Sequence, residues 1–160
     1  MVETAVFAAA LTRNVHRPDL LLFAALFHDI GKGTQEDHSD RGEKLIEPLA
    51  RRIGFDENDI ATLKLLVKHH LLLSATATRR DLDDPATIAS VTSVIPDLQT
   101  LELLHALSIA DGQATGRAAW SDWKESLLSE LVSRVTSALT DNTIARQPEF
   151  TSEQRVLADS

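Results

Sequence analysis

In the segment Phe27-His28-Asp29-Ile30-Gly31-Lys32-Gly33, a histidine and an aspartate stand side by side where an apolar run gives way to two glycines. Imidazole and carboxylate groups ligate divalent cations, and an ionisable group among apolar residues costs free energy unless it is paired or coordinated. Neighbours on a helix point about 100° apart, so His28 and Asp29 can converge on one ion only where the helix frays. Gly31 and Gly33 supply that break. Asp111 follows Leu103, Leu104, Leu107, Ile109 and Ala110, which should enclose its carboxylate. A cation resolves that conflict by favouring the ionised form. His38, His69 and His70 add three imidazoles from two other periodic segments. Lys32 and the Arg79-Arg80 pair are candidates to hold a phosphate, since the guanidinium fork matches two phosphate oxygens.

Plainer roles compete with these. His28-Asp29 alone also fits a helix-capping pair, Asp111 half of a salt bridge, and Lys32, Arg79 and Arg80 solvated loop cations. His16, before Arg17-Pro18, and His105, in mid-helix, are assigned structural roles. At least one of His69 and His70 should pack or hydrogen-bond rather than coordinate, because adjacent residues diverge. The metal reading rests on the set rather than on any one member.

The elements that would carry these residues are helices. Tyrosine is absent, aromatics are 4% of the chain, and Ala and Leu dominate the periodic segments, so the fold class is all-α. Val2 to Arg13 places Val2, Ala5, Val6, Ala9 and Ala10 on one stripe. Asp19 is a cap for the run Leu20 to Phe27, His38 to Ile53 forms a third helix closed by Gly54, and Asp56 caps a fourth that ends at His70. Leu73 to Asp84 reads as a loop. Pro85 opens a short helix over Ala86 to Val94, and from Asp97 an apolar helix enters the core. A last helix, Ala119 to Leu139, turns Trp120, Trp123, Leu127, Leu131 and Val135 inward. One domain over 1–141 followed by a polar linker over 142–160 is the expected organisation.

Composition closes several doors. A net charge of −8 argues against binding nucleic acid through backbone electrostatics. With no cysteine, neither a disulfide framework nor a thiolate zinc site is available. The sequence has neither a signal-peptide pattern nor a stretch suited to crossing a membrane, and a cytoplasmic protein is expected.

HDIGKG, the distal Asp111 and the histidines at 38, 69 and 70 resemble, in this order, the HD superfamily of metal-dependent phosphohydrolases. LLLSATATRRDLDDPATI over Leu71 to Ile88 and IADGQATGRAAWSDWKESLL over Ile109 to Leu128 look like the HD domain of bifunctional PII uridylyltransferase/uridylyl-removing enzymes. The resemblance implies an HD helical bundle in which His28, Asp29 and Asp111 hold one divalent ion. Asp29 would bridge to a second ion held by His38 and His69 or His70. Donors of this type suit Mn, Mg, Fe or Zn. It also implies hydrolysis of the diester joining UMP, or AMP, to a tyrosine of PII, with a nucleotidyltransferase domain before this one and ACT domains after it. In that family a first-helix histidine ligand lies just upstream of where Val2 falls, and Met1 stands there, so a site short of one ligand is expected. The competing functions are an HD hydrolase of free nucleotides and a non-catalytic helical relay.

Overall fold

Aspartates start three of the helices as N-caps: Asp56, Asp84 and Asp97 accept backbone hydrogen bonds from Asp59, Ala86 and Thr100 at 2.9, 2.9 and 2.7 Å. The computed structural model describes residues 1–33, 38–116 and 120–146, with side chains as far as Asp141. The described residues form eight α-helices and no strand. These are α1 (Val2–Leu11), α2 (Pro18–Phe27), α3 (His38–Ile53), α4 (Glu57–Lys68), α5 (Leu72–Arg79), α6 (Pro85–Thr92), α7 (Leu98–Ala114) and α8 (Asp122–Arg146), with a 3-10 turn at Thr12–Asn14. The all-α expectation therefore holds, and no helix among the described residues is long and apolar enough to cross a membrane.

The central element is α7, which packs against α1, α2, α4, α5 and α8. Leu101, Leu103, Leu104, Leu107 and Ala110 of this helix are buried, as a helix apolar over most of its surface requires. Around them close Leu21, Ala24 and Ala25 from α2, Leu63, Leu66 and Val67 from α4, Leu73 and Ala77 from α5, and Leu128, Leu131 and Val135 from α8. The antiparallel pair α3–α4 is laced by Lys64–Glu47 at 2.8 Å and Lys68–Glu43 at 2.7 Å. Arg17 ties the start of α2 to α4 through a two-pronged pair with Asp59, at 2.6 and 2.8 Å. Phe23 lies between Phe27, at 4.8 Å, and Phe55, at 5.2 Å between ring centroids, which fixes the end of α2 against the α3–α4 turn.

Several expectations need correction. The Leu73–Asp84 segment is not all loop, because α5 occupies Leu72–Arg79. Leu73, Thr76 and Ala77 bury one face of it, while the Ser74 and Thr78 hydroxyls bond back to the carbonyls of Leu71 and Ser74. On α1 the inward residues are Thr4 and Ala8, whereas Val2 and Val6 are 71% and 66% exposed. Small residues on both sides of this helix left the periodicity without a decisive phase. Trp123 faces outward at 62% exposure, and the inner stripe of α8 is Leu128, Leu131, Val135 and Leu139. Asp19 sits in the first turn of α2, after Pro18, and pairs with Arg17 instead of capping. The fourth helix stops at Lys68, two residues before His70. Ala119 and residues 147–160 lie outside the described residues, and α8 runs on to Arg146, past the point where the sequence turns polar.

Gly31 is the tightest backbone contact that bears on the chemistry. A Cβ there would stand 1.9 Å from the carbonyl oxygen of His38 and 2.8 Å from the amide nitrogen of Gly42. Only glycine lets the exit of α2 touch the first turns of α3. Gly31→Ala is expected to cost roughly 1–3 kcal/mol of stability by forcing those backbones apart. Urea denaturation followed by circular dichroism measures this, and a change within error of zero would refute the close-approach account.

Candidate metal centre

His28 is the C-cap of α2, with its N–H on the Ala24 carbonyl at 2.7 Å, and Asp29 follows in the turn. The helix therefore ends between the two residues, and their side chains can converge. His28 is fully buried, and its Nδ1 lies 2.9 Å from the Ala25 carbonyl oxygen. A carbonyl only accepts, so Nδ1 carries a proton, and Nε2 is the atom that can offer its lone pair to a cation or take up a second proton. Beside that lone pair stand Asp111 Oδ1 at 3.1 Å and Asp29 Oδ2 at 3.2 Å. Neither oxygen is aligned for a hydrogen bond, and Nε2 is left buried without a partner.

That arrangement fits a cation. Donors at right angles around an ion about 2.1 Å away lie about 3 Å from one another. Burial opposes a charge on His28, yet the Asp111 and Asp29 carboxylates outweigh it and raise its pKa to about 9. Both carboxyls are held below the usual carboxylate range: burial resists ionisation, and His28 overrides it, helped at Asp29 by Lys32. The site thus favours positive charge at Nε2 and negative charge on both oxygens.

A second donor group shares Asp29. Asp29, His38 and His70 each offer one atom, and these lie within 4.8 Å of one another. His70 is 2% exposed, its Nδ1 is 2.7 Å from the Val67 carbonyl oxygen, and its Nε2 faces Asp29 Oδ1 at 3.7 Å. Burial pushes the His70 pKa down and keeps the ring neutral. The His70 ring lies 5.2 Å from that of His28 and 5.5 Å from that of His38. One oxygen of Asp29 thus faces each group.

Three elements and two helix exits meet here: the end of α2, the start of α3, the turn after α4, the last turns of α7, and α1 through Thr4. The Thr4 hydroxyl is 3.5 Å from Asp111 Oδ1, at the limit of a hydrogen bond. Sequence reading missed this contact, and Thr4, the one hydroxyl residue in the alanine-rich α1, was the available signal.

His28, Asp29, His38, His70 and Asp111 are brought together. His69, the other open candidate, is not: it caps α4, and its pKa is lowered by burial and by Lys68. His16 pairs with Glu102 at 2.5 Å. His105 also stays outside, with a buried, unpartnered Nε2. Lys32 pairs with Asp29 at 2.5 Å rather than standing free for phosphate. Arg79 borders a cavity that Asp111 also lines, and Arg80 is exposed after α5.

Comparison with known proteins meets this geometry from another direction. The HD domain profile matches residues 1–112, which span α1 to Asp111 and include every member of the cluster. The chain belongs to the HD-domain family. This HD domain is 56% identical over 99% of its length to a bifunctional uridylyltransferase/uridylyl-removing enzyme of Streptomyces coelicolor, covering 19% of that protein. It is 56% identical over 84% of its length to the enzyme of that name from Mycobacterium tuberculosis, covering 17% of it. The counterpart from Ectopseudomonas mendocina is 35% identical over 99% of the chain, covering 18% of that protein. The chain therefore spans about a fifth of the length of these relatives.

His70→Ala is expected to weaken Mn2+ binding by roughly a hundredfold, and His69→Ala by less than about tenfold. Isothermal titration with Mn2+ measures both. Equal losses, or a larger loss at His69, would contradict the assignment of the inward imidazole.

Proposed function

We propose that this HD domain hydrolyses the phosphodiester between a nucleoside monophosphate, UMP or AMP, and a tyrosine of the signalling protein PII. It would do so as the hydrolytic part of a longer bifunctional enzyme, with a nucleotidyltransferase domain before it and ACT domains after it. The observation that carries the reading is Asp29, whose two oxygens face two separate imidazole groups while Asp111 closes the first. The relatives are each named a bifunctional uridylyltransferase/uridylyl-removing enzyme, which agrees with it.

His28, Asp29 and Asp111 would hold one divalent cation, and Asp29 with His38 and His70 a second. Bound there, such ions supply Lewis acidity that neutralises phosphate charge and makes a coordinated water more acidic. The protein does the rest. Hydrogen bonds from Nδ1 to Ala25 and Val67 fix the tautomer of His28 and His70 and aim Nε2 inward. Lys32 holds Asp29 ionised and in place. In the reaction a water oxygen bonds to phosphorus, the bond from phosphorus to the tyrosine oxygen breaks, and that oxygen takes up a proton. The nucleotide departs with its phosphate. On a chain of net charge −8, an anionic diester needs local cations; of the sequence-predicted ones, Lys32 pairs with Asp29 and Arg79 lines the cavity shared with Asp111.

With Mn2+ and uridylylated PII, the longer enzyme that contains this domain is expected to release UMP, and Asp111→Asn to lower the rate roughly a hundredfold or more. Turnover of free nucleoside triphosphates with PII-UMP untouched would instead identify a free-nucleotide hydrolase. Bound metal without any turnover would point to a relay.

A further inference from the structure

Beside the metal cradle, α5, α7 and α8 enclose a cavity of about 360 Å3 to which the chemistry above gives no occupant. Asp111 belongs to both, so whatever fills the cavity touches the reacting centre. Its other walls carry Trp120, the cations Arg79 and Lys124, and the small apolar surface of Leu71, Ala75 and Ala77.

Trp120 is placed by the residue after Asp111. A Cβ on Gly112 would stand 2.1 Å from Trp120 Cε3 and 2.5 Å from Cδ2, so the indole lies directly on the backbone of α7. Its Nε1 donates to Glu125 Oε2 at 3.3 Å, which occupies the polar edge of the ring. What the ring offers the cavity is aromatic surface, suited to a flat partner.

The hydroxyls around the cavity are also committed. Ser74, Thr78, Ser108 and Thr115 donate to the carbonyls of Leu71, Ser74, Leu104 and Gly112, at 3.2, 2.8, 2.8 and 2.6 Å. With their protons directed into the helices, these oxygens present lone pairs only. A complementary ligand therefore has an anionic end for Arg79 and Lys124, a flat ring for Trp120, and N–H or O–H donors between them. A nucleoside monophosphate has all three. Inorganic phosphate has only the first. The cavity on the other side of Trp120, about 740 Å3, is lined by Asp122 and Glu125, and its charge repels a phosphate.

We infer that this cavity seats the nucleoside monophosphate half of the scissile diester, with its phosphate at Asp111 between Arg79 and Lys124 and its ribose and base against Trp120. The inference rests on the hydrolase reading and adds to it the position of the nucleotide and the residues that select it. Gly112 is a positioning residue, acting through Trp120.

Trp120 supplies its own reporter. The chain has two tryptophans, so a Trp123→Phe background leaves Trp120 as the only indole signal. Titration in Mg2+ buffer with UMP, AMP and inorganic phosphate is expected to give a saturable fluorescence change with at least one nucleotide. Phosphate alone should bind about tenfold or more weaker. Lys124→Ala should raise the nucleotide Kd about tenfold. Lys124→Ala and Trp120→Leu should each raise KM for uridylylated PII, Trp120→Leu by more than it lowers kcat, while bound Mn2+ holds, a split that general loss of structure would not produce.

Equal affinity for phosphate and nucleotide, no saturable change with either nucleotide, or an unchanged KM in both variants would overturn the assignment. Release of UMP with an unchanged KM would sink the pocket and leave the hydrolase reading standing. Nucleotide binding that weakens in Lys124→Ala, without release of UMP from PII, would support the pocket and sink the hydrolase reading.

Discussion

Two carboxylates and a buried imidazole lone pair meet within 3.2 Å in the interior of a helical bundle, and the rest of the arrangement depends on resolving that conflict. Asp29 and Asp111 are like charges, and both are ionised below the usual carboxylate range. His28 cannot relieve them by turning, because its Nδ1–H is committed to Ala25. A buried set of this kind is stable only with positive charge at its centre. A divalent cation would supply that charge, and a lone pair aimed between two oxygens without a hydrogen bond to either is what a ligand to such an ion presents.

The packing serves that requirement. The central helix α7 is apolar over most of its surface, which fixes its depth in the core and places Asp111 at the end of a run of buried leucines and alanines. Its position relative to α2 is set by Leu21, Ala24 and Ala25, and the exit of α2 is held by the Phe23–Phe27–Phe55 cluster. Two glycines then allow approaches that no side chain would permit: Gly31 against the first turn of α3, and Gly112 under Trp120. The first brings His38 to the cradle. The second builds the wall of the neighbouring cavity, so that cavity and the cradle begin at adjacent residues, Gly112 and Asp111.

Much of this was legible in the chain. HDIGKG, with its glycine exit, and Asp111 behind its apolar run were sufficient to propose the first group of ligands, because ionisable residues in such surroundings demand a partner. Choosing between His69 and His70 was beyond reach, since it depends on where α4 ends, and Lys68 rather than His70 closes it. The phase of α1 was lost because alanines crowd both of its faces, and Thr4 with it. The helix α5 was hidden by serine and threonine, whose hydroxyls satisfy themselves on the helix backbone and so imitate a loop in composition. Trp123 was misplaced because the inner stripe of α8 is set by Leu128 and Leu131 rather than by its aromatic residues.

The most direct test of the central claim is a crystal structure grown with Mn2+ and recorded at its absorption edge. The account predicts an anomalous peak within coordination distance of His28 Nε2, Asp29 and Asp111. Contrary evidence would be a saturating Mn2+ soak that leaves no peak there, with a proton on His28 Nε2 bridging the two carboxylates instead.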